Sequence, residues 1–271
     1  MTGRTYVIAE AGSCHDGKFS AMERLIDAAQ SAGADCVKIQ YWSSAERLAQ
    51  RRHAGEAVAA AYARHQVPTD WLPRVRASVD HVGLEAACTV YLPEDVWVVA
   101  RHFDVLKVSS FESEDRELLT MMRAPLSVGK EVFVSLGMGA SPDVSRECLA
   151  VVNASGRLRF LHCVSAYPAP LLQLRLRRLR GDVHGFSDHS PPTQEWTGAL
   201  AVAAGATIIE RHLRLTDTPA DNPDFPHAMP PLTFSAYVRH IREAEAALGD
   251  PGPDVSQLCE EPMLAYRVRT P

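Results

Sequence analysis

The sequence predicts a (β/α)₈ TIM barrel in a single domain. Two observations carry that prediction. Short apolar runs alternate with longer amphipathic ones through eight β-then-α units, and polar or charged side chains recur where each apolar run ends. Such alternation implies a parallel sheet with helical crossovers, and eight units suggest that the sheet closes on itself. A doubly wound open sheet is the architectural alternative. The length of 271 residues suits one barrel, and a chain that is 46% hydrophobic and 23% charged can bury a large core.

The first strand is expected over residues 6–11, where Val7-Ile8-Ala9 forms an apolar run, and a helix over 21–32 ends before Gly33. Strand two covers 36–40. After it comes an Ala- and Arg-rich insertion, 45–64, expected to be helical and able to act as a lid, then a helix over 70–81. Strand three (84–89) precedes a helix over 94–101, and strand four (105–110) a helix over 115–122. Strand five (131–136) leads to a helix over 143–153, which Pro142 can start. Strand six (158–164) is paired with a helix over 171–179. Strand seven (183–187) is followed by a helix over 194–204 with Gly205 as its stop. Strand eight (207–212) is followed by a helix over 234–248, stopped by Gly249.

A formal net charge of −5 argues against nucleic acid or an acidic membrane as the main partner, since proteins that bind those usually carry excess positive charge. Arg175, Arg177, Arg178 and Arg180 are expected on the outer side of the sixth helix. Six cysteines occur, none spaced as Cys-x-x-Cys, which disfavours a structural zinc site and suits a reducing, cytoplasmic compartment. The N-terminus has no signal-peptide pattern, and no apolar run approaches the roughly 20 residues that span a bilayer.

In barrels of this kind chemistry sits at the carboxyl ends of the strands. Lys38 and Lys107 stand at two of those ends, with Thr89, Ser110, Ser135 and Ser187 nearby. One such lysine reads as a snorkelling side chain; two among neutral donors read as a cradle for phosphate or carboxylate. His189 and His212 end neighbouring strands, where two imidazoles can hold a divalent metal. Glu10 and Glu210 share the same mouth and suit a metal or acid–base role. His162 lies inside strand six and is read as structural.

Four separated motifs, namely Val7-Ile8-Ala9-Glu10-Ala11-Gly12-Ser13, Leu161-His162-Cys163-Val164-Ser165-Ala166-Tyr167-Pro168, Phe186-Ser187-Asp188-His189 and Ile209-Glu210-Arg211-His212, resemble the sialic acid synthase family over nearly the whole chain. The resemblance implies condensation of phosphoenolpyruvate with an open-chain aldose, usually an N-acetylated hexosamine, to give a 2-keto-3-deoxy sugar acid and phosphate. It implies phosphoenolpyruvate contacts at Lys38, Thr89, Lys107, Ser110, Ser135, Ser165 and Ser187. It implies manganese or magnesium at His189 and His212. Catalytic roles fall to Glu10, Glu112 and Glu210, with Glu10 leading for the proton of the acceptor or water. Acceptor contacts fall to Gln40, Tyr167 and Asp224.

The chain departs from that family in three places. Cys14 replaces an asparagine of the first motif and is read as a packing residue or, less favourably, a thiolate ligand. The family's Gly-Pro-Asp-His stretch stands here as Asn222-Pro223-Asp224-Phe225-Pro226-His227, one residue displaced. The expected organisation is one catalytic domain, 1–271, without the small antifreeze-like domain of bacterial members. Residues 45–64 and 218–231 are then expected to cover the acceptor; a second subunit of a homodimer or a separate capping protein is the alternative. A phosphorylated or non-sugar aldehyde acceptor remains open, with Arg47, Arg51, Arg52 and Arg64 as a candidate basic cluster. So does a non-catalytic homologue.

Overall fold

The computed structural model describes residues 4–149, 157–249 and 266. Eight parallel strands follow one another around a closed barrel: β1 (Tyr6–Glu10), β2 (Cys36–Tyr41), β3 (Glu85–Val90), β4 (Val105–Val108), β5 (Glu131–Leu136), β6 (Leu158–Cys163), β7 (Val183–Asp188) and β8 (Ile208–His212). The closing pair is β1 with β8. Around them run α1 (Phe19–Ser31), α2 (Ala45–Arg51), α3 (Glu56–Arg64), α4 (Trp71–His81), α5 (Val96–Ala100), α6 (Arg116–Met121), α7 (Arg123–Ser127), α8 (Pro142–Leu149), α9 (Thr197–Ala203) and α10 (Pro231–Leu248).

The period of two along a strand divides the core. Val7, Val37, Ile39, Leu106, Val134 and Ile209 point outward and pack beneath the helices. Ile8, Cys36, Ala87, Val105, Phe133, Leu161 and Ile208 point inward and fill the barrel as an apolar plug. Two residues further along, the same strands turn Glu10, Lys38, Thr89, Lys107, Ser135, Cys163 and Glu210 inward, so a polar layer rests on the plug. Each fully buried Ile, Val, Leu or Phe of the plug stabilises the fold by roughly 1.5–3 kcal/mol, which offsets part of the cost of burying the charged layer above.

The insertion after β2 is helical and forms a pair, α2 and α3. Ser44 caps α2 by accepting from the Arg47 N–H at 3.2 Å. Trp42, Ala45, Leu48, Tyr91 and Leu92 form a small core beneath the pair, with Tyr62 packed against it. That core roots the pair beside the mouth.

Two expectations need correction. Residues 171–179 are not an α-helix but two short 3₁₀ turns, Leu171–Gln173 and Leu176–Arg178. Arg175 between them is left-handed, with φ of 47°, which no continuous right-handed helix accommodates. The four arginines at 175–180 therefore do not decorate a helix face. Strand β4 stops at Val108, so Ser109 and Ser110 belong to the following loop. The helix expected over 115–122 is followed at once by a second short one, α7. Residues 150–153 of the helix expected after β5, and Cys259, lie outside the described residues. Among the described residues no helix is long and apolar enough to cross a membrane.

Candidate active site

Strand register brings the polar layer together. Glu10 is level with Lys38 on one side and His212 on the other, Thr89 with Lys107, and Ser187 with Glu210. A cavity of about 350 Å³ opens above them at the carboxyl ends of the strands. On its floor Lys38 is ion-paired with Glu10, lies 3.7 Å from Glu210 and donates to Thr89 Oγ1 at 2.7 Å. Lys107 Nζ donates to Ser135 Oγ at 2.6 Å and to the Val108 carbonyl at 3.1 Å, and no carboxylate among the described residues lies within 4.0 Å of it. Ser187 donates to Glu210 at 2.8 Å, and Ser165 to Ser110 at 2.8 Å.

Burial governs the charges. It pulls the Lys38 ammonium down to about 8, against the opposing pull of Glu210. It pushes Glu210 up, but Lys107 and then Lys38 outweigh it and hold this carboxyl at about 2. His189 is pulled down to about 4 by burial and then by His212, so the ring is neutral near pH 7. Its Nδ1 lies 3.0 Å from the Val164 carbonyl, which can only accept; Nδ1 therefore carries the proton and Nε2 keeps a lone pair.

The loop after β8 closes one wall. His212, Asp224 and His227 place ligand atoms within 4.8 Å of one another. His212 Nδ1 and both ring nitrogens of His227 are buried without a hydrogen-bond partner. Buried polar atoms are rarely left so, and their convergence on a carboxylate suits a cation. Asp224 is fixed from the β1 side, where the Ser13 N–H donates to its Oδ2 at 2.7 Å. Asn222 accepts from Ser13 Oγ at 2.7 Å and donates to the Ser13 carbonyl at 2.9 Å. Gly12 has φ of +49°, and a Cβ there would collide with the Asp224 carboxylate. Behind the wall, Arg211 and Asp188 form a fully buried ion pair at 3.1 Å, and Arg211 also donates to the His227 carbonyl at 3.2 Å.

A family model described as the NeuB family matches residues 25–252. The chain belongs to the NeuB family. It is 27% identical over 270 residues to the pseudaminic acid synthase of Campylobacter jejuni, a match covering 91% of this chain and 76% of that one. It is 27% identical over 264 residues to the N-acetylneuraminate-9-phosphate synthase of Homo sapiens, covering 91% and 72%. The crystal structure of N-acetylneuraminic acid (sialic acid) synthetase from Leptospira borgpetersenii, in complex with citrate, superposes with a TM-score of 0.83 at 21% identity, covering 97% of this chain and 93% of that one. These matches agree with the resemblance and with the closed barrel.

In this NeuB family barrel most of the expected residues meet at one cavity. Lys38, Gln40, Thr89, Lys107, Ser110, Ser135, Tyr167, Ser187, His189, Glu210, His212 and Asp224 all line it. Three do not reach its wall. Glu10 lies beneath Lys38, its Oε1 accepting from the Gly12 N–H at 2.7 Å. Ser165 stands behind Ser110. Glu112 is held by Arg52 at 2.7 and 2.9 Å. Both members of the expected metal pair line the cavity. His189 and His212 meet edge to face with ring centroids 5.5 Å apart, and among the described residues the three side chains grouped as possible metal ligands are His212, Asp224 and His227. His227 was missed; its spacing of three from Asp224, in a loop already aligned with a Pro-Asp-His motif, was the available signal. Cys14 packs against Asn222, and burial pushes its thiol well up, as a packing residue requires. His162 Nε2 donates to the Leu174 carbonyl, 2.6 Å away, and the ring stacks on Phe186.

Proposed function

We propose that this protein condenses phosphoenolpyruvate with an open-chain aldose, in the presence of manganese or magnesium, to give a 2-keto-3-deoxy sugar acid and inorganic phosphate. The observation that supports this reading most is one cavity with two chemical ends. Lys107, with no carboxylate among the described residues within 4.0 Å and the Ser135 hydroxyl against it, shares this cavity with Asp224 and the partnerless ring nitrogens of His212 and His227.

The donor substrate needs partners for a phosphate and a carboxylate. Lys107 and Lys38 supply charge, and Thr89, Ser110, Ser135 and Ser187 supply neutral donors, with Ser165 orienting Ser110. Holding both anionic groups fixes the enol carbon, so much of the catalytic gain is positioning. His212, Asp224 and His227 fit a divalent metal, with His189 beside them. A metal bound there would polarise the acceptor aldehyde as a Lewis acid.

The enol carbon forms a bond to the aldehyde carbon and leaves positive charge at the former enol carbon. Glu210, held ionised in the cavity, stabilises that charge. Water adds there, and the tetrahedral intermediate expels phosphate together with the bridging oxygen. The proton lost by the water is matched by the one gained by the new hydroxyl, so the site needs a relay and no net acid. Glu210 and the neutral His189 both line the path. Glu10 tunes Lys38 from below and acts through it. The reading is tested by supplying phosphoenolpyruvate, manganese and a panel of aldoses and following phosphate release; release that requires both metal and aldose is the expected result.

A further inference from the structure

One wall of the cavity is formed by the helix pair after β2. Arg52 and Tyr62 reach into it and meet Tyr91 and Phe111 from the loops after β3 and β4. The Arg52 guanidinium carbon lies 5.7 Å from the Tyr62 ring centroid, 4.9 Å from that of Tyr91 and 4.7 Å from that of Phe111. Its Nε and Nη2 donate to the two oxygens of Glu112, and Nη1 donates to the Tyr62 hydroxyl at 3.1 Å. Both members of the ion pair are largely buried, with side chains 19% and 7% exposed.

The other arginines of the helix pair are matched as well. Arg47 pairs with Glu94, Arg51 with Asp115 and Glu117, and Arg64 with Asp16 and Asp221. Of the three cationic side chains that line the cavity, Lys38 and Arg52 hold carboxylates and Lys107 alone does not. Among the described residues, the lining cation with no carboxylate within 4.0 Å is therefore Lys107, where phosphoenolpyruvate would bind.

We propose that this cavity selects an uncharged aldose and rejects its phosphorylated counterpart, and that the Arg52–Glu112 pair within its aromatic surround makes that selection. The inference rests on the synthase reading above. The relatives leave the question open by name, one being a pseudaminic acid synthase and another an N-acetylneuraminate-9-phosphate synthase. A dianionic phosphate brought to Arg52 meets Glu112 already bound through both arms of the guanidinium fork. Displacing that carboxylate strands a buried charge, and leaving it in place sets like charges side by side. An uncharged sugar meets neither obstacle. Its C–H edge packs on Tyr62, Tyr91 and Phe111, and its hydroxyls take the remaining donors. Glu112 is thus a positioning residue for acceptor choice and does not touch the reacting atoms.

The test uses the full chain with manganese and phosphoenolpyruvate, and pairs of N-acetylhexosamines with and without a 6-phosphate. Loss of the enol absorbance gives kcat/KM for each member, and calorimetry gives its affinity. The uncharged member should be favoured by at least about 100-fold, the size expected of an uncompensated like-charge contact. Glu112→Gln should shrink that preference by about 10-fold or more by lowering KM for the phosphorylated sugar, while Arg52→Gln, which leaves Glu112 unopposed, should widen it. The opposite signs separate selection from simple loss of structure, and either variant serves if the other does not fold. A phosphorylated sugar used or bound as well as its partner, binding of neither member, or a preference that both variants leave unmoved overturns the proposal. Absence of turnover with every sugar counts against the synthase reading instead, and the affinity ratio still decides this one.

Discussion

His212 Nδ1 lies 3.4 Å from Asp224 Oδ2, and the other oxygen of the same carboxylate lies 3.6 Å from His227 Nε2. One carboxylate thus stands between two buried imidazoles from a strand end and the loop beyond it. Burial raises the Asp224 carboxyl, but His212 outweighs it and holds the group well below the usual range. Burial, then His212, pulls His227 down to about 2, so that ring stays neutral and its lone pair available.

Manganese affinity should follow this trio. His212→Ala, His227→Ala and Asp224→Asn should each weaken binding by at least about 100-fold, more than loss of an outer-shell partner costs. His189→Ala should cost about 10-fold or less, since it stands outside the three-donor group. Titration followed by electron paramagnetic resonance reads both. A His189 variant that loses the metal while the His227 variant keeps it would return the site to the pair expected from sequence.

Lys107→Met keeps most of the stem and removes the charge. Loss of one charge-assisted contact should weaken phosphoenolpyruvate binding by about 2–3 kcal/mol. Lys38→Met is a harsher change, because it strands Glu10 without its ion-pair partner; thermal melting should show a lower midpoint for it than for Lys107→Met. Calorimetry with unchanged donor affinity in the Lys107 variant would place the donor elsewhere.

The Lys38 value carries a pH prediction. Its folded-state pKa is lowered from 10.5 to about 8, so the ammonium is present below about 8 and lost above it. An anionic donor needs the ammonium, so affinity for phosphoenolpyruvate should be level near pH 7 and fall as pH rises through about 8. The falling limb should persist in Lys107→Met and vanish in Lys38→Met. Affinity that rises with pH over the same range contradicts the assignment.

Gly12→Ala tests the seam between β1 and the loop after β8. The new methyl would meet the Asp224 carboxylate and lie 3.1 Å from His212 Nδ1, on a backbone with φ of +49°. Manganese affinity should fall by about 10-fold or more, and urea unfolding should show a loss of about 1 kcal/mol or more. An unchanged affinity means that Asp224 does not depend on this turn.

Much of this was legible in the chain. Period-two alternation marks Lys38, Thr89, Lys107, Ser135 and Glu210 as one inward layer, because each stands two residues beyond an apolar plug position. The same alternation turns His162 outward, toward the Leu174 carbonyl, in agreement with its structural reading. What was hidden depends on long-range contact. Nothing local tells that Arg52 in the insertion will grip Glu112 beyond β4, or that Ser13 will anchor Asn222 and Asp224. Leu-rich residues 171–179 read as helical by composition, while the left-handed backbone at Arg175 is not reported by periodicity.

The most direct test of the synthase reading follows the atoms. The protein is incubated in ¹⁸O-labelled water with phosphoenolpyruvate, manganese and uncharged aldoses, and the products are weighed by mass spectrometry. The account predicts a 2-keto-3-deoxy sugar acid whose mass equals donor plus aldose plus water minus phosphoric acid, and phosphate carrying no label because its bridging oxygen left with it. Release of pyruvate with labelled phosphate, independent of the aldose, would contradict it.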